Sequence, residues 1–160
     1  MSGELRLRRA ARAVVLDPDD RVLLVRFEFP ARAVWAAPGG GLDGDETHEQ
    51  AIVRELAEEV GLEAPVLGPV VWERTHVVPF ISGQWDGQVE RFFLVRTPRF
   101  EPAPQLTWEE LRREYVTAMR WWTLAEVRAS AETFAPRRMG ELLEALLRDG
   151  PPAVPIDAGV

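Results

Sequence analysis

The sequence predicts a single α/β domain in which helices cover both faces of a mixed β-sheet, an α/β/α sandwich. Two kinds of observation carry this. Short apolar runs bounded by turn residues recur along the chain, as at residues 13–16, 22–25 and 89–97, and such runs read as buried strands. Residues 47–60 and 136–148 instead repeat their apolar side chains at helical spacing. Strands interleaved with two amphipathic helices bury both helices when one lies on each face of the sheet.

In chain order, the first strand lies within Leu5 to Leu16 and ends in Ala13-Val14-Val15-Leu16. Asp17-Pro18-Asp19-Asp20 is a turn by composition, and Val22-Leu23-Leu24-Val25 returns as the second strand of a hairpin. Phe27, Phe29 and Trp35 flank the loop leading to Pro38. Residues 66–78 form an apolar stretch broken by Gly68-Pro69, and a Gly/Ser/Asp-rich loop from Pro79 to Gly87 precedes the strand over 89–97. A proline-rich connection leads to a short helix over Trp108–Arg113, then a strand over 118–123, a short helix over 124–129 and the amphipathic helix over 136–148 that stops at Gly150. In the 118–123 strand, alternation puts one of Trp121 and Trp122 in the core. The domain is therefore expected to span residues 1–150, with residues 151–160 as a loose, flexible tail.

Composition sets outer bounds. The 160 residues carry a net charge of −7, 46% hydrophobic and 28% charged residues, and no cysteine. Those fractions are typical of a globular domain. The lack of cysteine excludes disulfides and thiolate metal sites, and a cytoplasmic location is the expectation. An acidic chain is a poor match for broad nucleic-acid binding, which needs a basic surface. No run is long enough to suggest a membrane span. All 19 basic residues are arginine.

The chemistry concentrates between Pro38 and Leu62, PGGGLDGDETHEQAIVRELAEEVGL. Thr47 and Gln50 stand at capping-box spacing and Gly61 suits a C-terminal stop, so a helix is predicted between them. Ile52, Val53, Leu56, Ala57 and Val60 form its expected core stripe. Glu55, Glu58 and Glu59, at i, i+3 and i+4, share another face. Like charges so spaced repel, and Arg54 offsets only part of that. A hard divalent ion such as Mg2+ or Mn2+, which prefers oxygen ligands, would offset it better than Arg54, although a Glu-rich helix taken alone reads more often as a solvated acidic face.

The pattern is Gly40, five residues, Glu46, seven residues, then Arg54-Glu55-Leu56-Ala57-Glu58-Glu59-Val60-Gly61-Leu62. It resembles the signature of the Nudix hydrolase family, Gx5Ex7REUxEExGU with U aliphatic, at every defined position. Asp45 stands where many members have glycine. The resemblance implies the Nudix α/β/α sandwich and metal-dependent hydrolysis of a diphosphate linkage in a nucleoside diphosphate joined to another group. By position in the motif, Glu55, Glu58 and Glu59 are the expected metal ligands, with the Gly39 carbonyl as a further one. Glu46 and Arg54 are the expected pair that supports them. The general base varies within the family, and the candidates are Glu55 and Glu59 within the motif and Glu109, Glu110 and Glu114 outside it, Glu114 foremost. Arg26, at the end of the second strand, and Trp35, before the glycine turn, are the candidate substrate contacts, for phosphate and base respectively. His48 and His76 carry little weight.

The subgroup is open. The sequence lacks the downstream array of the NADH pyrophosphatases and the extension of the coenzyme A group. His76 stands where the ADP-ribose hydrolases tend to carry proline, and Phe80 near where the dinucleoside polyphosphate hydrolases tend to carry tyrosine. The expected partner is a small nucleotide or nucleoside diphosphate derivative, with no nucleic acid and no membrane, and a homodimer stays open. The alternative is a non-hydrolytic nucleotide-sensing module on a Nudix fold. Such modules usually lose motif carboxylates, and this chain has all of them. A Nudix-fold isomerase ranks third, because that chemistry commonly uses a cysteine.

Overall fold

The computed structural model describes residues 3–160. Its strands are β1 (Leu7–Leu16), β2 (Val22–Glu28), β3 (Ala33–Ala36), β4 (Gly39–Gly41), β5 (Leu67–His76), β6 (Gly87–Arg96), β7 (Val116–Trp122), β8 (Phe134–Ala135) and β9 (Ile156–Asp157). The helices are α1 (His48–Val60), α2 (Trp108–Arg113), α3 (Leu124–Ala129) and α4 (Met139–Asp149). One mixed sheet runs β8-β3-β2-β1-β6-β5-β9, with β4 paired to β1 and β7 paired to β2. The central pair, β1 with β6, is parallel over its whole length, from Leu7↔Gly87 to Leu16↔Arg96.

Alternation along β1 divides the core into two layers. Ala11, Ala13 and Val15 pack with Ile52, Leu56 and Val60 of α1 on one face. Val14 and Leu16 pack with Trp72, Phe92, Trp122 and Leu142, Leu143 and Leu146 of α4 on the other. The sandwich expected from sequence is the observed architecture. Leu56 is completely buried, so Leu56→Ala is expected to cost about 2–5 kcal/mol in chemical denaturation. An unchanged unfolding midpoint would show that this face of α1 does not pack on the sheet.

Several local expectations need correction. The hairpin between β1 and β2 closes only at Leu16↔Val22, and further along β1 it is β4 that pairs, Ala10–Arg12 against Gly39–Gly41. Gly68-Pro69 does not break β5, which absorbs it as register shifts between Leu67 and Trp72. On α1, Val53 is exposed and Ala51 takes its place in the buried stripe. Residues 151–160 are docked and do not form a loose tail. Ile156–Asp157 pairs in parallel with Trp72–Glu73, the Ala158 N–H donates to Glu73 O at 2.8 Å, and Ala158 is fully buried. β5 would otherwise be the sheet edge, and the terminal segment covers it.

Candidate functional site

The site is built on α1 and the strand that precedes it. Thr47 and Gln50 close a reciprocal capping box, with Gln50 N–H donating to Thr47 Oγ1 at 3.1 Å and Thr47 N–H to Gln50 Oε1 at 2.9 Å. Gly61 ends the helix in the left-handed region, φ 77°, where glycine carries no Cβ penalty. Between these stops the helix phase is fixed, and Glu55 and Glu59, one turn apart, face the glycine strand β4.

β4 comes very close to its neighbours. Gly39, at φ 145°, lies so near β1 that an added Cβ would stand 2.1 Å from Ala11 O. At Gly40 an added Cβ would stand 2.5 Å from Glu55 Oε1. At Gly39, where the clash is with backbone, only glycine permits this approach, and it brings the Gly39 N–H to Glu59 Oε1 at 3.1 Å. Glu55 and Glu59 are left 7% and 1% exposed.

Glu114 arrives from the other side. It caps the C-terminus of α2, and Tyr115 beside it turns the chain into β7 with φ 67°. One carboxylate oxygen from each of Glu55, Glu59 and Glu114 lies within 4.8 Å of the other two. Glu59 is pushed up to about 8, by burial first and by Glu55 second, against the opposing pull of Arg12 and the Gly39 N–H. Burial also raises Glu55, with Arg54 pulling the other way, and desolvation followed by Glu58 raises Glu114. Three carboxylates with too little positive charge between them form a hard-oxygen donor set, and Mg2+ or Mn2+ fits it.

Arg54 is the hub behind these groups. It holds Glu46 by two bonds of 2.9 Å, donates to Glu55 at 3.1 Å and Glu58 at 3.3 Å, and reaches Gly41 O at 3.2 Å. The hydrogen bond from Arg54 lowers Glu46 below its ordinary value. The expected Glu46–Arg54 pair is thus formed. Glu58 stands outside the close group, with its carboxylate on Arg54. The Gly39 carbonyl, expected to face a metal, accepts from Arg12 Nη1 at 3.0 Å.

The other expected contacts lie elsewhere. Trp35 belongs to the opposite core layer, edge-on to Trp122 at 5.1 Å and 7% exposed, away from the carboxylates, and it lines the smaller of two cavities against α3. Arg26 donates to Glu28 at 2.8 Å and Thr117 at 3.0 Å. Glu109 pairs with Arg113 on the surface, and Glu110 closes the capping box of α2. Two open cavities of about 550 and 410 Å3 lie against α3, and neither includes the carboxylates.

Sequence reasoning missed the support under β4. Glu90 accepts from Arg12 and from Arg74 at 2.6 Å each, with all three side chains buried. Burial pushes the Glu90 carboxyl up, but Arg12 and Arg74 outweigh it and hold it below its ordinary value. Arg74 continues to His76 Nδ1 at 3.2 Å, which places that histidine in the same network. The available signal was Arg12 itself, a charge set within the small apolar run Ala10–Leu16.

Comparison with known proteins agrees with this geometry. The family model of the NUDIX domain matches residues 6–146. The chain belongs to the Nudix family. The Nudix relatives include an RNA pyrophosphohydrolase of Gluconacetobacter diazotrophicus, 30% identical over 59% of this chain and 65% of that one. A prenyl-diphosphate phosphatase of Methanosarcina mazei is 30% identical over 76% of this chain and 66% of its own. The matches thus span about two thirds of the length of these two relatives. A solved MutT protein of Methanosarcina mazei superposes with a TM-score of 0.67 at 19% identity, covering 92% of this chain and 98% of that one, and shares the Nudix fold. No helix among the described residues is long and apolar enough to cross a membrane.

Proposed function

We propose that this Nudix protein is a metal-dependent pyrophosphohydrolase that cleaves the diphosphate linkage of a nucleoside diphosphate joined to another group. The observation that carries the proposal is the convergence of Glu55, Glu59 and Glu114 within 4.8 Å at the glycine strand. Glu55 and Glu59 would hold Mg2+ or Mn2+, with Glu58 and the Gly39 carbonyl as further ligands by their place in the motif. When bound, the ion neutralises phosphate charge and acidifies water.

The protein groups divide the remaining work. Arg54 orients Glu55 and ties the loop at Glu46 to α1, as groups behind metal ligands do. The Gly39 N–H fixes the Glu59 carboxylate. Glu114 is the exposed member of the group, so it meets incoming water and is the candidate to accept its proton. The water oxygen forms the new bond to phosphorus, the bridging P–O bond breaks, and two phosphate products leave. The names of the relatives do not converge on one substrate. The substrate proposed here is a small nucleotide derivative, and RNA is the variant suggested by the relatives named RNA pyrophosphohydrolase.

The test is a product-release screen with Mg2+ and then Mn2+. Its panel spans nucleoside triphosphates, oxidised nucleotides, ADP-ribose, sugar nucleotides, dinucleoside polyphosphates, 5′-triphosphate RNA and prenyl diphosphates. Metal-dependent cleavage of a nucleotide derivative is the expected result. Metal-dependent binding of nucleotides with no turnover across the panel would replace the hydrolase with a sensor.

A further inference from the structure

A line of polar contacts joins the carboxylate centre to the other side of the sheet. The Gly39 N–H donates to Glu59 at 3.1 Å, and the Gly39 carbonyl accepts from Arg12 Nη1 at 3.0 Å. Arg12 Nε donates to Glu90 Oε2, and Glu90 Oε1 accepts from Arg74 Nη1, at 2.6 Å each. Arg74 Nη2 then meets His76 Nδ1 at 3.2 Å. The line passes through α1, β4, β1, β6 and β5 and ends on a half-buried imidazole. Arg12, Glu90 and Arg74 are buried, and the hydrolytic steps make no use of the outer end.

The contact at that end fixes the state of His76. Arginine has hydrogen-bond donors and no acceptor, so Nδ1 must accept, and the ring is neutral with its proton on Nε2. Arg74 depends on this contact. Its Nε has no acceptor among the described residues, which leaves Glu90 and His76 as the partners of its side chain. A proton taken from solvent would go to Nδ1, turn the acceptor into a donor aimed at Arg74, and add a positive charge. The groups around the ring oppose that charge. Arg74 flanks it on β5, Arg32 faces it from the turn between β2 and β3, and Arg137 from the segment before α4, with Glu90 of β6 pulling the other way. Gln88, its register partner on β6, is uncharged and accepts from Arg8 of β1. Burial first, then Arg74 and Arg32, hold the His76 pKa below its ordinary value.

Buried charges respond strongly to one another because little solvent screens them. A close-packed interior also passes a displacement on instead of absorbing it. We infer that His76 is a positioning residue of the carboxylate centre. Neutral, it anchors Arg74 and, through Glu90 and Arg12, fixes Gly39 against Glu59; protonated, it releases Arg74 and slackens that hold. Turnover should therefore be full while His76 is neutral and fall as pH drops through its pKa, below the ordinary 6.5. The effect on turnover rests on the hydrolase reading, and the effect on Gly39 does not.

The experiment follows the Gly39 amide and the two histidine rings by NMR between pH 5 and 8 in Mg2+. It also measures kcat and KM over that range on the best substrate of the screen. The proteins are wild type, His76→Gln, His76→Leu and His48→Gln. Glutamine offers Arg74 an acceptor that takes no proton, leucine offers none, and His48 takes no part in the line. Wild type and His48→Gln should show a Gly39 shift with the midpoint of His76. Their kcat should fall roughly two- to tenfold through that midpoint, with a much smaller change in KM. In His76→Gln this step should be absent from both readouts. The site carboxylates also take up protons in acid, so the difference between wild type and His76→Gln carries the result. His76→Leu should lower kcat roughly two- to tenfold even at pH 8, and His76→Gln should recover most of that loss. A wild-type Gly39 amide blind to His76, or an acid limb of kcat unchanged in His76→Gln, would overturn the proposal. Should His76→Leu misfold, wild type and His76→Gln decide it alone. A Gly39 step that follows His76, with no turnover of any substrate, would support the positioning role and remove the hydrolase.

Discussion

Glu59→Gln is expected to lower kcat by about a thousandfold or more with the fold intact, because it removes a metal ligand and no core packing. The same substitution should change how stability depends on pH. In the metal-free protein the Glu59 carboxyl is pushed up to about 8, by burial first and Glu55 second. The folded chain therefore holds this proton more tightly than the unfolded chain. The stabilisation is fully present below the ordinary carboxylate pKa and is lost as pH rises toward 8. Melting of metal-free wild type should fall over that window by an amount on the order of a few kcal/mol, and Mg2+ or Mn2+ should restore it at the alkaline end. Glu59→Gln has no proton to lose and should show a flatter profile. A wild-type melting curve unaffected by pH between 5 and 8 would contradict the strained carboxylate pair.

The second large effect belongs to Glu90. Substitution by Leu leaves Arg12 and Arg74 buried without their shared carboxylate, and the penalty for uncompensated buried charge is about 3–5 kcal/mol. Urea denaturation should show that loss. Arg12 also holds the Gly39 carbonyl, so the surviving folded protein should turn over more slowly. A loss below about 1 kcal/mol would mean that water or a rearranged partner satisfies the two arginines.

The helix that carries the site was legible in the sequence because its signals are local. Thr47, Gln50 and Gly61 set its ends, and the spacing of Glu55 and Glu59 places both on one face. Glu114 was reachable only through the family resemblance, since nothing near it in sequence marks it out from Glu109 and Glu110. Its distinction is tertiary, arising where α2 ends and Tyr115 turns the chain. β4 was hidden for a different reason. Three consecutive glycines carry no hydrophobic pattern and read as a turn, yet they form a strand because backbone must pass close to both β1 and Glu55.

Trp35 and the terminal segment show the same limit from the other side. An indole before a glycine turn has no sequence mark that tells a base platform from a core residue, and its partner Trp122 is 87 positions away. Residues 151–160 are proline-rich and short of pattern, and only the open edge of β5 gives Ile156 and Ala158 somewhere to bury.

The most direct test of the central claim, that these carboxylates form the metal centre, is an Mn2+ titration followed by electron paramagnetic resonance. It compares wild type with Glu55→Gln, Glu59→Gln and the surface control Glu109→Gln. The expected result is saturable Mn2+ binding in wild type and Glu109→Gln, weakened by about tenfold or more in the other two variants. Equal Mn2+ affinity in wild type and Glu59→Gln would contradict it.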